Sequence, residues 1–364
     1  MKYTYYVLAV CLLGLVACQA QEQKPAQFTG SLPQVHPQKM SEFQKVDSLY
    51  FGYLGNQTIA MDDGSVVIPL HREKLLLQVS STEVLIKEVA GLGRGPGEVL
   101  DLLFIQRTQA GGVLVVDQKN NKIVRFGPDL ELVTEMRPQP PEESIMAGVY
   151  PMQEEQKFIF RSASTRYLRD KEASPSLRLS SYLPNQKYRN TIQVRDHRMA
   201  LTFSNGRLVG ASEVPAAPSQ QVAYHPATQS LYSYWTGSNA IAKLSPNLDT
   251  LQTIPVELPA QPLSDTKYDS IEAETRDREW KTLKNELPNM KTPVERMLID
   301  EQGRFWLRLN YRGDTQQWLV MSDAGEYQKI VHLPRGSMLT HISDHHLGVR
   351  LDERTFALFK PVDS

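Results

Sequence analysis

A pattern of short strands and tight turns recurs along this 364-residue chain and limits the folds open to it. Residues 113–136 (VLVVDQKNNKIVRFGPDLELVTEM) align without a gap with residues 231–254 (LYSYWTGSNAIAKLSPNLDTLQTI), so that Asn121 matches Asn239. Each copy is typical of a strand, an Asn turn, a second strand, a Pro-containing turn and a third strand. A third variation follows in residues 299–327. Three related hairpins favour a repeat fold over an irregular β-sandwich.

The repeat has the size of one blade of a β-propeller, in which four short strands occupy about forty residues. We therefore predict an all-β fold, a six-bladed β-propeller of four-stranded antiparallel blades. The strands of 339–359 are expected to complete the sixth blade with residues 43–54, because joining both ends of the ring removes an exposed strand edge. The other five blades are predicted at residues 57–99, 100–138, 145–196, 199–258 and 292–335.

One segment departs from the β pattern. Residues 269–287 (DSIEAETRDREWKTLKNEL) are charged and rich in helix-favouring side chains, and they contain no glycine or proline. Pro288 follows directly, as expected where a helix ends. The sequence therefore predicts one short helix inserted between blades, on one face of the disc.

The N-terminal residues indicate export. Lys2 is followed by an apolar run of twelve residues, Tyr5–Val16, which is shorter than the roughly twenty residues of a transmembrane helix and suits a signal peptide. The run ends in Leu15-Val16-Ala17-Cys18, which resembles the bacterial lipobox. That resemblance implies a signal peptide at 1–17 and lipidation of Cys18. A plain secretory peptide cleaved elsewhere is the alternative.

The residues after Cys18 fit a tether. Cys11 lies in the predicted signal peptide, so the mature chain would contain Cys18 alone and no internal disulfide. Residues 19–38 are rich in Gln and Pro and poor in large apolar side chains. We expect a lipidated flexible tether at 18–40, a propeller at 41–364, and a lipid-anchored location in the bacterial envelope at the outer membrane, with the periplasmic or surface face undecided.

Charge excludes some partners. The chain has 40 basic and 41 acidic residues, so no basic excess exists to neutralise the phosphates of a nucleic acid. No polybasic stretch exists for anionic lipid either. We expect no nucleic-acid partner, a membrane contact through the lipid on Cys18 alone, and a monomer.

A glycine-rich turn, Gly91-Leu-Gly-Arg-Gly-Pro-Gly-Glu98, is the sharpest local motif. Its glycines permit positive φ and expose N–H groups that could form an anion nest. In a binding interpretation Arg94 lies near the channel mouth and holds an anion. In a structural interpretation the turn is a rigid connector, and Arg94 and Glu98 hold neighbouring blades together by ion pairs.

Other polar and aromatic side chains also have two interpretations. Asp117 and Asp300 follow strands, where they could bind Ca²⁺ or cap their own turns. Trp306, like Trp235 and Trp318, could stack on a sugar or pack between blades. The candidate ligand-binding residues are Arg94, Glu98, Asp117, Asn121, Asp300 and Trp306.

Familiar catalytic and metal-binding motifs are absent from the sequence. No G-x-S-x-G elbow occurs. Of eight histidines only His341, His345 and His346 cluster, outside the H-E-x-x-H context of a zinc protease, and residues 344–346 are expected to form an exposed turn. The sequence therefore predicts no catalytic residue, no metal site and no cofactor.

The glycine-rich turn and the strand after it also carry a family resemblance. The turn reads G-x-G-P-G-E at 93–98, and Val115, Asp117, Asn120, Ile123 and Phe126 then follow the form V-x-D-x-x-N-x-x-I-x-x-F. Residues 300–306 read D-x-x-G-x-x-W. This resembles the six-bladed β-propeller lipoproteins of Bacteroidota and, in fold, NHL-repeat and TolB-like propellers, which mostly bind rather than catalyse.

The resemblance implies a non-catalytic binding module in the cell envelope. Its ligand would be a peptide, a glycan or a partner protein held at one mouth of the ring. The alternative is a Ca²⁺-dependent envelope hydrolase of the lactonase type. A third possibility is a structural part of a larger envelope complex.

Overall fold

The computed structural model of the chain describes residues 32–362, except 47–48, 53, 56, 140, 153–156, 184–187, 205–206, 264–268, 270, 274, 276 and 312–313. The predicted signal peptide and Cys18 lie outside the described residues.

Four short strands precede the first blade: β1 (Gln34–Val35), β2 (Lys39–Phe43), β3 (Lys45–Val46) and β4 (Leu49–Tyr50). Six sheets, each containing four antiparallel strands, then surround a central channel, which confirms the predicted six-bladed propeller.

The strands of each blade run from the channel outward. Blade I contains β5 (Ile59–Ala60), β6 (Val66–Leu70), β7 (Leu75–Val79) and β8 (Leu85–Ala90). Blade II contains β9 (Phe104–Arg107), β10 (Val113–Asp117), β11 (Lys122–Phe126) and β12 (Leu132–Met136). Blade III contains β13 (Ser144–Met152), β14 (Lys157–Ser164), β15 (Ser176–Tyr182) and β16 (Arg189–Arg195), with a 3₁₀ turn at Arg166–Leu168.

The hairpin of β17 (Met199–Ser204) and β18 (Arg207–Glu213) follows blade III. Blade IV contains β19 (Gln220–His225), β20 (Ser230–Trp235), β21 (Ala240–Leu244) and β22 (Thr250–Pro255). A second insertion contains β23 (Gln261–Pro262), the helix α1 (Asp277–Glu286) and β24 (Met290–Lys291). Blade V contains β25 (Val294–Ile299), β26 (Phe305–Leu309), β27 (Thr315–Met321) and β28 (Tyr327–Pro334). Blade VI contains β29 (Met338–Ile342), β30 (Leu347–Arg350), β31 (Phe356–Phe359) and β2.

The apolar pattern of the strands explains where the core lies. The middle strand β6 (VVIPL) is buried along its whole length, because neighbouring blades cover both of its faces. Such strands read as continuous apolar runs rather than as alternating ones. The outer strand β12 is exposed for most of its length, and Val133 is 53% exposed. The core is therefore the set of layers between blades.

The Pro-containing turn of the internal repeat has the same backbone in both copies. Leu130 and Leu248 both have positive φ, 56° and 69°. Their N–H groups donate to Gly127 O and Ser245 O, at 2.9 Å in each case. Both leucine side chains are buried, so burial offsets the cost of about 1–2 kcal/mol of the left-handed conformation.

The ring closes through the N-terminal residues, but not through the segment predicted. The outer strand of blade VI is β2, in which Phe43 lies opposite Phe356 and Lys39 opposite Phe359. Residues 45–46 pair instead with residues 49–50 as β3 and β4, and next to them Phe51 N donates to Gln44 O at 2.9 Å. The prediction of 43–54 was therefore wrong, because the chain turns away directly after Phe43.

Strand pairing also begins before Ser41. The two residues of β1 pair in parallel with β28, as a fifth strand at the outer edge of blade V. Residues 34–35 and 39–40, expected at the end of the tether, therefore lie in strands of the ring.

The fourth blade is shorter than the predicted 199–258. The hairpin β17–β18 is a separate two-stranded sheet, and blade IV begins at Gln220. Ala200 and Val214, at the two ends of this hairpin, belong to one buried cluster with Trp280 and Leu283 of α1. The hairpin therefore packs against the predicted helix rather than inside a blade. No helix in the described part of the chain is long and apolar enough to cross a bilayer.

Candidate functional site

The channel contains two cavities, one at each end. The smaller has a volume of about 370 Å³ and is lined by the ends of the innermost strands, such as Arg107 and His225. The larger has a volume of about 820 Å³ and is lined by the beginnings of these strands, such as Gln220 and Met338. We call them the narrow mouth and the wide mouth. All six blades contribute to each.

An apolar layer lies between the two mouths. Its members line both cavities and come from different blades: Ile105, Tyr150, Val222, Met297 and Leu298, together with Gln57. Tyr150 is 3% exposed, and its ring contacts Phe104 edge-on at 5.6 Å between centroids. The mouths are therefore two separate environments.

The narrow mouth is bridged by hydrogen bonds between blades that are not neighbours. Arg107 of blade II forms an ion pair at 2.8 Å with Glu301 of blade V, across the channel, in addition to one with Asp62 of the neighbouring blade I. The side-chain amide of Gln109 in blade II donates to Ala227 O of blade IV at 3.4 Å. Polar groups at this mouth are thus already paired with one another across the channel.

A directed chain of hydrogen bonds leaves the narrow mouth. Gly64 O can only accept, so His346 Nε2–H donates to it at 2.9 Å. His346 Nδ1 must then accept from His341 Nε2–H, at 3.0 Å. His341 Nδ1 lies within hydrogen-bond distance of the hydroxyl of Thr58, which also contacts the hydroxyl of Thr340 at 2.7 Å. The pairing of Thr58, His341 and His346 has the order of nucleophile, base and orienting group.

The protonation of this chain argues for a structural role. Burial first, and then the charges of His346 and Arg107, hold the pKa of His341 well below its usual range. Burial also lowers the pKa of His346. A general base works best when its pKa lies near the working pH, so His341 is too weak a base to activate Thr58 effectively. Both rings are neutral links in a buried network.

These two pKa values predict acid sensitivity. Below about pH 6.5 the two histidines bind protons in the unfolded chain but stay neutral in the folded protein. The free energy of unfolding should therefore fall as the pH decreases. Each histidine that stays neutral in the folded protein should lower the free energy of unfolding by at most about 2 kcal/mol between pH 6.5 and pH 5. Urea unfolding across this range should show a shallower pH dependence for His341→Gln than for the wild type. The matched control is His345→Gln, because His345 is exposed. Parallel curves for wild type and His341→Gln would contradict the prediction.

The wide mouth has a net positive lining, whereas the lining of the narrow mouth is net negative. Its charged lining residues are four arginines and two glutamates, which leave two positive charges: Arg161, Arg198, Arg296, Arg308, Glu213 and Glu295. The charged lining of the narrow mouth is one arginine against three carboxylates, which leaves two negative charges: Arg107, Asp62, Asp300 and Glu301. A nearly neutral chain thus has a polarised channel.

Arg198 and Arg308 of the wide mouth lie beside carboxylates. Arg198 Nε lies 3.2 Å from Asp196 Oδ1, and Arg308 Nε lies 3.1 Å from Glu295 Oε2. Arg296 lies directly opposite Arg308 on the neighbouring strand. Burial, with the charges of Arg308 and Arg350, lowers the pKa of Arg296 to about 10. Like charges placed opposite each other repel, so this wall of the mouth favours a negative occupant.

Arg161 differs from the other wide-mouth arginines. It lies in the second strand of blade III, opposite Gly148 of the innermost strand. Paired residues share a face of the sheet, and Gly148 has no side chain, so Arg161 can line the cavity. Its Nε–H is buried without a hydrogen-bond partner, and it forms no ion pair with any carboxylate of the described residues.

The glycine-rich turn lies away from both mouths, between blades I and II. Its own chain occupies the anion nest, since Gly95 N donates to Glu98 Oε2 at 2.7 Å and Gly97 N donates to Glu135. A Cβ on Gly93 would lie 1.9 Å from Glu98 Oε2, which explains the glycine. Arg94 is exposed. The turn therefore has the structure of a connector between blades. The contacts of the Glu98 side chain are hydrogen bonds within the turn, in place of the ion pair to a neighbouring blade that was expected.

Asp117 and Asp300 have the contacts of turn caps. Asp117, 0% exposed, accepts from Leu100 N at 2.8 Å and from Asn120 Nδ2 at 2.6 Å. Asp300 accepts from Arg304 N at 2.8 Å and from Trp306 Nε1 at 2.9 Å. No three His, Cys, Asp or Glu side chains of the described residues are grouped to hold a metal ion, so a calcium site does not fit these carboxylates.

The other two candidates also have local roles. Asn121 is an exposed turn residue with a φ of 48°, and Trp306 is 1% exposed in the core between blades V and VI. Of the six candidate ligand-binding residues, Asp300 alone lines either of the two mouths.

One prediction about the histidines was partly wrong. Asp344 and His345 are exposed as expected, but His346 is 1% exposed because it reaches Gly64 of blade I. Sequence reasoning also missed Thr58 and Arg161, whose roles depend on distant strands. Gly148 lies opposite Arg161, but this pairing can be recognised only when the strand register is known.

Comparisons with known proteins concern the fold. No family model matches the chain, and no curated protein matches its sequence. A member of the DUF4221 family from Bacteroides vulgatus superposes with a TM-score of 0.53 at 8% identity, covering 88% of this chain and 97% of that one. Virginiamycin B lyase from Staphylococcus aureus gives a TM-score of 0.46 at 11% identity, covering 88% and 98%. A gluconolactonase from Xanthomonas campestris gives a TM-score of 0.46 at 10% identity, covering 93% and 100%.

At such low identities likeness to solved structures concerns the fold and not the activity. The chain is a six-bladed β-propeller with a bridged narrow mouth and a cationic wide mouth.

Proposed function

We propose that this propeller is a non-catalytic binding module, lipid-anchored in the bacterial envelope, whose ligand occupies the wide mouth. The observation that carries the proposal is the difference between the two mouths. Polar groups of the narrow mouth are paired across the channel, whereas the wide mouth has about 820 Å³ of space and includes the Arg161 Nε–H, which has no hydrogen-bond partner among the described residues. That volume is in the range of small-molecule sites, about 300–1,000 Å³.

The insertion after blade III gives the wide mouth further specificity. Arg198 directly precedes the hairpin β17–β18, Glu213 is the last residue of β18, and both line the cavity. The hairpin is supported by α1 through the cluster of Ala200, Trp280 and Leu283. Loops and insertions at the mouth of a rigid scaffold commonly carry recognition, so the ligand would contact both the ring and this insertion.

Filling the wide mouth should abolish binding. Ala147 lines the wide mouth and Ala227 the narrow one, so Ala147→Trp and Ala227→Trp form a matched pair. The full chain is dialysed against a water-soluble extract of cell envelopes, and bound compounds are identified by mass spectrometry. We expect wild type and Ala227→Trp to retain compounds that Ala147→Trp loses. Retention that is unaffected by Ala147→Trp, or no retention at all, would refute the proposal.

The anchor requires its own test. Replacement of Cys18 by serine should abolish incorporation of labelled palmitate and release the protein from the membrane fraction, because acyl chains contribute about 0.8 kcal/mol per buried methylene. Cys11→Ser is the control and should change neither result. Unchanged labelling of Cys18→Ser would rule out the lipid anchor at this position.

A catalytic role has weaker support. The pairing of Thr58 with His341 favours it, but the low pKa of His341 opposes it.

A further inference from the structure

Arg161 indicates the charge of the ligand. Its Nε–H is buried without a partner among the described residues, and a buried donor left unsatisfied costs about 1–3 kcal/mol. Its charge is felt at Tyr150, whose pKa burial raises while Arg161 opposes that rise. A planar guanidinium forms paired hydrogen bonds with a carboxylate or a phosphate. An anion bound beside Arg161 would accept a hydrogen bond from the Nε–H and neutralise the positive charge of the guanidinium.

The surroundings strengthen that attraction. Arg296 and Arg308 lie opposite each other in the same mouth, and the negative lining of the channel lies at the other end. An anion is therefore favoured at the wide mouth and disfavoured at the narrow one. In a partly desolvated cavity these interactions are stronger than they would be in water.

Gln220 indicates a second group on the ligand. It lines the wide mouth and is 3% exposed. Its Nε2 donates to Ser233 Oγ at 3.2 Å, but its Oε1 has no hydrogen-bond partner among the described residues. A buried carbonyl oxygen of this kind needs a donor, and a ligand hydroxyl supplies one. A simple inorganic anion would leave it unsatisfied.

We infer that the wide mouth binds an organic acid that also carries hydroxyl groups, the chemistry of an acidic sugar. Arg161 binds the acid group and Gln220 accepts from a hydroxyl. This inference rests on the proposed function, because it assigns a ligand class to the same mouth.

Three probes with six-membered rings test separately whether binding requires the acid group and whether it requires the hydroxyl groups. Glucuronate has the acid and the hydroxyls, glucose has the hydroxyls alone, and cyclohexanecarboxylate has the acid alone. Binding to the full chain is followed by ligand-observed NMR. We expect saturable binding of glucuronate at least about tenfold tighter than that of either other probe. Inorganic phosphate is included, and an affinity equal to that of glucuronate would contradict the requirement for hydroxyls.

Two arginine variants provide the structural control. Arg161→Gln should weaken glucuronate binding by roughly tenfold to a hundredfold, the value of a charge-assisted hydrogen bond. Arg94→Gln should leave it unchanged, because Arg94 is exposed on the connector between blades I and II. No saturable glucuronate binding, or equal affinity in wild type and Arg161→Gln, overturns the inference. If the envelope extract then yields neutral compounds that Ala147→Trp excludes, the proposed function survives and the acidic ligand alone is rejected.

Discussion

Replacing Phe43 with alanine is expected to lower the free energy of unfolding by about 3–5 kcal/mol. Phe43 is 4% exposed and belongs to the strand that closes blade VI. Its ring contacts Phe356 at 5.5 Å and Phe51 at 5.9 Å, both edge-on. The variant loses both the buried aromatic surface and the contacts that hold β2 against β31. Urea or thermal unfolding of the purified protein measures the change.

The control for this prediction lies in the same strand. Met40 is 48% exposed, so Met40→Ala should change stability by less than about 0.5 kcal/mol. A chain that begins at Gln44 lacks β1 and β2 altogether and leaves the edge of β31 unpaired. It should unfold at a clearly lower temperature than a chain that begins at Gln19. Equal stability of Phe43→Ala and wild type would show that the ring does not depend on this closure.

The second large effect is expected at Lys122, whose replacement by alanine should cost about 3–5 kcal/mol. Lys122 is 0% exposed, and its ammonium donates to the carbonyls of Gly95 and Glu98 and pairs with Glu135 at 3.0 Å. Burial would raise the pKa of Glu135, but hydrogen bonds from Gly97 N and from Lys122 outweigh it, and the pKa lies below its ordinary value. Without Lys122 a partly buried carboxylate and two carbonyls lose their partner.

Lys119→Ala is the matched control, because Lys119 is exposed in the turn before the same strand. It should leave stability within about 0.5 kcal/mol of the wild type. The deficit of Lys122→Ala should also shrink in acid, since protonation of Glu135 removes the unpaired charge. A deficit that is small at neutral pH, or that grows on acidification, would contradict the role assigned to Lys122.

Much of the ring could be predicted because its signals are local. The turn at Pro128 and its counterpart at Pro246 follow the same sequence pattern and have the same backbone. Blades I to IV pair strands that are consecutive in the chain, and buried middle strands such as β10 are continuous apolar runs. The helix at 277–286 was recognisable for the same reason, since its composition differs from that of its neighbours.

The boundaries that failed depend on distant partners. Residues 199–213 have strand composition, and only their packing against α1 separates them from blade IV. The closing strand was predicted at 43–54, but it is β2, which ends at Phe43, because the chain then turns back so that Phe51 N donates to Gln44 O. Sequence spacing carries no information about such contacts.

The candidate site was hidden for a related reason. The sequence motifs contain Glu98, Asp117 and Asp300. These side chains recur in motifs because they accept hydrogen bonds from the backbone of their own turns. Arg161 belongs to no motif, and its place at the channel, opposite Gly148 of the innermost strand, follows from the strand register. Local chemistry therefore identified the scaffold, while the wide mouth became visible only with the strand register.

The pairing of β2 with β31 has a consequence for the order of folding. Lys39 is synthesised early and its partner Phe359 late, so the outer position of blade VI stays open while the intervening blades form. Contacts between residues so far apart form slowly, because nearly the whole chain must be gathered first. Ring closure is then the last step of maturation, and a nascent or proteolysed chain that lacks its final strand would keep an exposed sheet edge that quality-control proteases can recognise.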